Sequence, residues 1–124
     1  SEDGLVRHGR MDADAGRQLA RVLFDLPVPP DAVFCSNDLV AAGVLSVLTE
    51  RGIRVPEQVG VVGFADIVYN DVMQPPLSSV TQEPRILGEL CAKRLLELIR
   101  GTAGTPAHVV HETRLVARRS SSRQ

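Results

Sequence analysis

Apolar positions along the chain alternate between helical spacing and short continuous runs. From Asp12, a residue suited to an N-cap, Ala15, Leu19, Val22, Leu23 and Leu26 recur at helical intervals until Pro27 and Pro29-Pro30 stop them. This predicts an amphipathic helix over 13–26, with Asp14 in the first turn to favour its dipole. Ahead of it, Leu5-Val6-Arg7-His8 reads as a short extended run ended by Gly9. Ala32-Val33-Phe34-Cys35 is continuous and apolar between turn formers, the pattern of a strand buried on both faces of a parallel sheet. Ser36-Asn37-Asp38 marks its end.

The next helix, about 38–51, has almost no polar side until Thr49-Glu50-Arg51. A helix apolar all round must be covered on both sides, one by a sheet and the other by a second layer or a partner chain. Gly52 suits its C-cap, and Val59 to Phe64 reads as another buried strand. A short segment to Met73 leads into Gln74-Pro75-Pro76, after which 78–82 is extended. Pro84 suits the first position of a helix over 84–100 whose Ile86, Leu87, Leu90, Cys91, Leu95, Leu98 and Ile99 form one wide stripe. Exposed alone, that stripe is a liability, so it is expected to meet another copy or more of a longer chain. After the connector 101–106, Val109-Val110 and Leu115-Val116-Ala117 read as short strands. The order predicts an α/β fold, a parallel sheet with helices on both faces, whose ligands sit beyond the carboxyl ends of the strands.

The length of 124 residues suits one domain, and 44% hydrophobic with 23% charged residues is the composition of a folded one. No apolar run is long enough for a membrane span, and Ser1-Glu2-Asp3-Gly4 has no export-signal character. No membrane partner and a cytoplasmic location are therefore expected. Charge is uneven: residues 1–113 carry 10 basic and 15 acidic side chains, whereas the last eleven hold four arginines and no acid. Such a body has no electrostatic footprint for DNA, and Arg118 to Arg123 reads as a solvated, frayed terminus. Cys35 and Cys91 both lie in apolar runs and read as buried reduced thiols.

Chemistry is sparse. No glycine-rich phosphate loop follows a strand, the three histidines are scattered, and Ser36 lacks the sequence of a nucleophile elbow. No enzymatic activity, cofactor or metal is expected. Two strand ends carry polar groups instead. Asn37-Asp38 offers an amide with donors and acceptors beside a carboxylate, with Asn37 facing a ligand and Asp38 capping the helix as one arrangement. Asp66 reads equally as a ligand acceptor or a loop-organising residue, and Met11 on residue type alone is apolar filler.

These residues also fall into ordered motifs: Gly9-Arg10-Met11-Asp12-x-x-x-Gly16, Asn37-Asp38-x-x-Ala41-x-Gly43, Arg51-Gly52-x-x-Val55-Pro56, Val62-Gly63-Phe64-x-Asp66, Pro76-Leu77-x-x-Val80-x-Gln82 and Leu115-Val116-x-Arg118-x-Ser120. Together they resemble the effector-binding domain of the lac-repressor family of bacterial transcription regulators. The resemblance implies a type I periplasmic-binding-protein-like fold, represented mainly by its C-terminal lobe. Residues 1–79 would be most of that lobe, 80–112 would return to the N-terminal lobe, and 113–124 would be a crossing strand and basic tail.

By that resemblance the chain senses a small-molecule effector, a sugar or related metabolite, and forms a homodimer. Operator DNA would be bound only through a helix-turn-helix domain outside this sequence. A solute-binding protein for sugar transport is the alternative on the same fold. Asn37 matches an effector-binding position, and Met11 stands where an aromatic residue often stacks on the ligand. Dimer contacts are implied on the outer side of the second helix, at Ala42 and Leu45, and at Tyr69, Val72 and Met73. The departure is Ala65, where the family has an acidic residue, with Asp66 one place later. Either Asp66 replaces that carboxylate, or the effector presents an apolar or anionic group to Ala65. The second is favoured here, because neighbours at a strand end face opposite ways.

Overall fold

Two short helices crossing at a pair of glycines organise the core. In the computed structural model, which describes residues 2–104 and 108–122, the Asp12 carboxylate accepts from the Ala15 amide at 2.8 Å and starts α1 (Ala13–Phe24). β1 (Ala32–Phe34), α2 (Asp38–Glu50) and β2 (Gly60–Phe64) follow. A 3-10 turn at Asn70–Val72 leads to β3 (Ser78–Thr81), α3 (Pro84–Ile99) and β4 (Arg114–Val116), and a second such turn, Arg119–Ser121, closes the described chain. The sheet order is β1-β2-β3-β4. β1, β2 and β3 are parallel, with Val33 opposite Val61 and Gly63 opposite Ser79, whereas β4 runs antiparallel to β3 with Val80 opposite Leu115.

α2 is nearly all apolar because it is covered twice within one chain. Ala41, Val47 and Leu48 are fully buried between β2 and α1, whose Ala20, Leu23 and Phe24 supply the second layer. The approach is close: a Cβ at Gly43 would lie 2.1 Å from the Ala13 carbonyl oxygen, and one at Gly16 would lie 2.3 Å from that of Val40. Leu45, expected on the outer side of α2, is only 5% exposed and belongs to this core.

Several expectations change. Residues 5–8 form no strand: Leu5 ends a 3-10 turn, and β1 pairs only with β2. Val109 and Val110 lie in irregular, exposed backbone before β4. β1 is not buried on both faces, since Phe34 is 65% exposed. Its side of the sheet, with Val62, Val80 and Leu115, borders an open hollow of about 670 Å³ that Ser121 also lines. α3 forms as read, with Pro84 in its first turn, but has no buried residue, so its apolar stripe and Cys91 are exposed in the single chain. The C-terminal segment is docked rather than frayed, with Ser120 fully buried, although Arg123 and residues 105–107 lie outside the described residues.

Because Gly43 faces backbone that cannot yield like a flexible side chain, Gly43→Ala is expected to lower unfolding stability by about 3 kcal/mol. Gly88→Ala, in open space on exposed α3, should be neutral or stabilising by up to about 1 kcal/mol. Urea unfolding of the two variants separates these outcomes.

Candidate functional site

The carboxyl ends of β1 and β2 lie side by side, and the residues after each strand meet there. Asn37 precedes α2 in extended conformation, and its Oδ1 accepts from the Val40 amide at 2.8 Å. Its Nδ2 donates to the Met11 carbonyl at 3.1 Å, which joins the start of α1 to the start of α2. Asn37, not Asp38, is therefore the cap. Met11 itself is 60% exposed, beside a hollow of about 530 Å³ that also reaches Arg7, His8 and Ser36.

Asp38 does the opposite of facing a ligand: it is 1% exposed and turned inward. Its Oδ2 accepts from the Ile67 amide and from Asn70 Nδ2, both at 2.9 Å, and its Oδ1 accepts from Ser79 Oγ at 2.6 Å. Gly63 is what gives the carboxylate room, since a Cβ there would lie 2.1 Å from Asp38 Oδ1. One carboxylate thus binds α2 to β3 and to the loop after β2.

That loop begins with two left-handed residues, Ala65 at φ 107° and Asp66 at φ 54°. Such backbone costs about 1–3 kcal/mol per non-glycine residue and persists only where its surroundings hold it. Here the Ala65 amide donates to the Val80 carbonyl at 2.9 Å and the Asp66 amide to Ser79 Oγ at 3.1 Å. β2 has already ended at Phe64, so strand alternation does not govern how Ala65 and Asp66 are disposed.

Arg118 completes the cluster. Its Nη1 donates to Asp66 Oδ1 at 2.7 Å and to the Leu77 carbonyl at 2.9 Å, and its Nε donates to Asp71 Oδ1 at 2.5 Å. Asp66 Oδ1 also accepts from Asn70 Nδ2 at 3.3 Å. Burial opposes the guanidinium charge, but the hydrogen bonds and charges of Asp66 and Asp71 outweigh it and hold the group further into its protonated range. Sequence reasoning placed Arg118 in a solvated tail and assigned nothing to Asn70, Ser79 or Ser120. The available signals were the Arg118-x-Ser120 spacing and the adjacent Ser78-Ser79 in an otherwise buried strand.

The implied dimer residues divide. Tyr69 and Val72 are 65% and 71% exposed, whereas Ala42 and Met73 are half-buried around a shallow hollow also lined by Leu45 and Thr49. Among the described residues no group of three His, Cys, Asp or Glu side chains is placed to hold a metal ion, and no helix is long and apolar enough to cross a membrane.

A mostly parallel ladder with polar side chains gathered at its carboxyl ends, closed by an antiparallel returning strand, defines an α/β lobe of the periplasmic-binding-protein kind. The family described as periplasmic binding protein-like domain matches residues 2–121. The chain belongs to that family, in the form carried by LacI-type transcriptional regulators. The HTH-type transcriptional regulator CelR of Thermobifida fusca is 37% identical over 119 residues, covering 96% of this chain and 35% of CelR. The solved CelR–cellobiose complex matches with a TM-score of 0.88 at 36% identity, over 98% of this chain and 37% of that one. The lac repressor dimer bound to operator and the anti-inducer ONPF matches with a TM-score of 0.84 at 31% identity, over 91% and 39%. The chain spans about a third of the length of the curated relatives it matches.

Two outcomes test the cluster. Asp38→Ala strands three donors on two segments and should cost about 3 kcal/mol or more in unfolding stability. Cys35, buried next to α2, has its thiol pushed up to about 12, first by burial and then by the Asp38 charge. The unfolded chain releases that proton near the ordinary 9.0, so between these values it binds fewer protons than the folded state. Stability from this group is full below that window and falls through it by up to about 1.4 kcal/mol per pH unit. Cys35→Ala should remove this alkaline slope in denaturation measured across the window.

Proposed function

We propose that this chain is the effector-sensing and dimerising part of a bacterial DNA-binding transcription regulator, one that binds a sugar-like metabolite at the carboxyl ends of β1 and β2. The observation that carries this is Asn37. An amide has two N–H groups and two lone pairs, and capping Val40 while holding Met11 leaves one of each for a hydroxyl-bearing ligand. Exposed Met11 beside it offers an apolar surface for a sugar ring. The CelR match, solved with cellobiose, supports a saccharide class, and the curated relatives are regulators rather than transport proteins.

Asp66 is a positioning group in this reading, because its Oδ1 is already engaged by Arg118 and Asn70. The effector then presents an apolar or anionic group to Ala65, and no carboxylate meets it there. Sensing works by differential affinity: the ligand favours one arrangement of lobes, which resets the DNA-binding domains of the whole protein. No chemistry on the ligand, cofactor or metal is involved, and the location is cytoplasmic, where operator DNA is met.

The homodimer forms through Ala42 and Met73 around the hollow on α2 and through exposed Tyr69 and Val72. Leu45 supports that surface from beneath. An isologous contact of this kind would cover the apolar side chains of the 69–73 segment.

A thermal-shift screen of the full-length protein against monosaccharides, disaccharides, nucleosides and polyols is expected to find a stabilising saccharide, whose shift shrinks in Asn37→Leu and in Ala65→Asp. Stabilisation by nucleosides alone, or by none of the classes, would overturn the saccharide reading. In sedimentation, Tyr69→Glu combined with Val72→Glu should weaken the dimer by about a hundredfold or more, with the unfolding stability of the dissociated monomer at high dilution unchanged because both side chains are exposed. A wild-type monomer at high concentration would overturn the dimer.

A further inference from the structure

The chain leaves the sheet after Thr81, forms α3 without burying a residue of it, and returns at Arg114. Exit and return run together. Thr81 is opposite Arg114 in the antiparallel pairing, and Glu83, at φ 48° before α3, accepts from His111 at 3.3 Å with Arg114 at 3.8 Å from its other oxygen. Glu83, at the entry to α3, is thus tied to the segment that leads into β4. Two residues past β4 stands Arg118, mostly buried and holding Asp66 and Asp71 at once.

Those two carboxylates bracket the 65–73 loop. At one end are Ala65 and Asp66, beside the candidate effector site; at the other are Tyr69, Val72 and Met73, the candidate dimer surface. Apart from Arg118, this loop is held by Asp38, through Ile67 and Asn70, by β3, through the Ala65 amide on the Val80 carbonyl and the Asp66 amide on Ser79 Oγ, and by the backbone bond from Leu77 to the Asn70 carbonyl at 2.9 Å. Asp38 ties the loop to α2; Arg118 alone among these groups ties it to the returning strand.

We propose that Arg118 is a positioning residue that locks the 65–73 loop to the returning strand, so that the placement of α3 is relayed jointly to the effector-site end and to the dimer end of that loop. The relay rests on the regulator reading given above, and it is geometric: a planar guanidinium with two fixed N–H directions sets the spacing between Asp66 and Asp71, which an ammonium on a flexible stem would not. Lysine at this position would keep the charge and lose the spacing.

The test uses the full-length protein with Asp71→Asn, Arg118→Lys and Arg118→Met, reading amide hydrogen exchange by residue, dimer dissociation by sedimentation and the urea midpoint. Asp71 is 75% exposed at its side chain, so Asp71→Asn removes the charge from one anchor, weakening its bond to Arg118, without burying an unpaired charge. The expected result is about tenfold faster exchange at Asn70 and Val72 and an approximately fivefold weaker dimer in Asp71→Asn, with the exchange of α2, and the urea midpoint at dilutions where the protein is monomeric, unchanged. Arg118→Lys should fail to restore either readout, and Arg118→Met should exceed both. Unchanged loop exchange in Asp71→Asn, full rescue by lysine, or a uniform change over α2, β2 and the loop would each overturn the proposal. A wild-type monomer would sink the dimer reading alone, since loop exchange still judges Arg118.

Discussion

The buried carboxylate of Asp38 is the interaction on which the arrangement of the candidate site depends. At 1% exposure it has no water to solvate it, and a carboxylate in that position is tolerable only if its oxygens are met by donors. Ile67, Asn70 and Ser79 meet them from the loop after β2 and from β3. The requirement works in both directions. The charge is stable because the segments converge, and the segments converge because the charge must be satisfied. Gly63 is the steric counterpart, a strand position where a side chain would occupy the carboxylate's place.

A second set of polar groups docks the end of the chain by the same logic. Ser120 Oγ donates to the Val61 carbonyl at 2.6 Å and accepts from the Ser78 amide at 2.8 Å, while Ser78 Oγ exchanges hydrogen bonds with the Arg118 backbone. The buried Ser78 hydroxyl is satisfied by a residue forty positions later and that of Ser79 by Asp38, some forty positions earlier, and so a strand rich in serine sits inside the sheet. Arg118 is thereby delivered to Asp66 and Asp71 from a backbone fixed on both sides.

Apolar surface is distributed unequally around this centre. α2 is covered by β2 and α1, whereas the Phe34 and Leu115 side of the sheet and the stripe on α3 are open in the single chain. Contiguous apolar area of this kind is a contact surface.

The local pattern of the sequence determined the elements. Periodicity with Asp12, Pro84 and the flanking turn formers located three helices, because capping and amphipathic spacing act within a few residues, and the ordered motifs identified the fold. Three features were decided only by tertiary structure. Residues 5–8 and 109–110 have strand-like composition but no paired neighbour, and a strand exists only through its partner. Asn37 took the capping role expected of Asp38, and Asp38 turned inward, because whether a carboxylate caps a helix or is buried depends on donors that arrive from Ile67, Asn70 and Ser79. Arg118 reads as part of a charged tail in any local window. Its burial follows from Asp66 and Asp71, some fifty residues earlier in the chain, being brought within hydrogen-bond distance by the return of β4, a long-range pairing that no local propensity encodes.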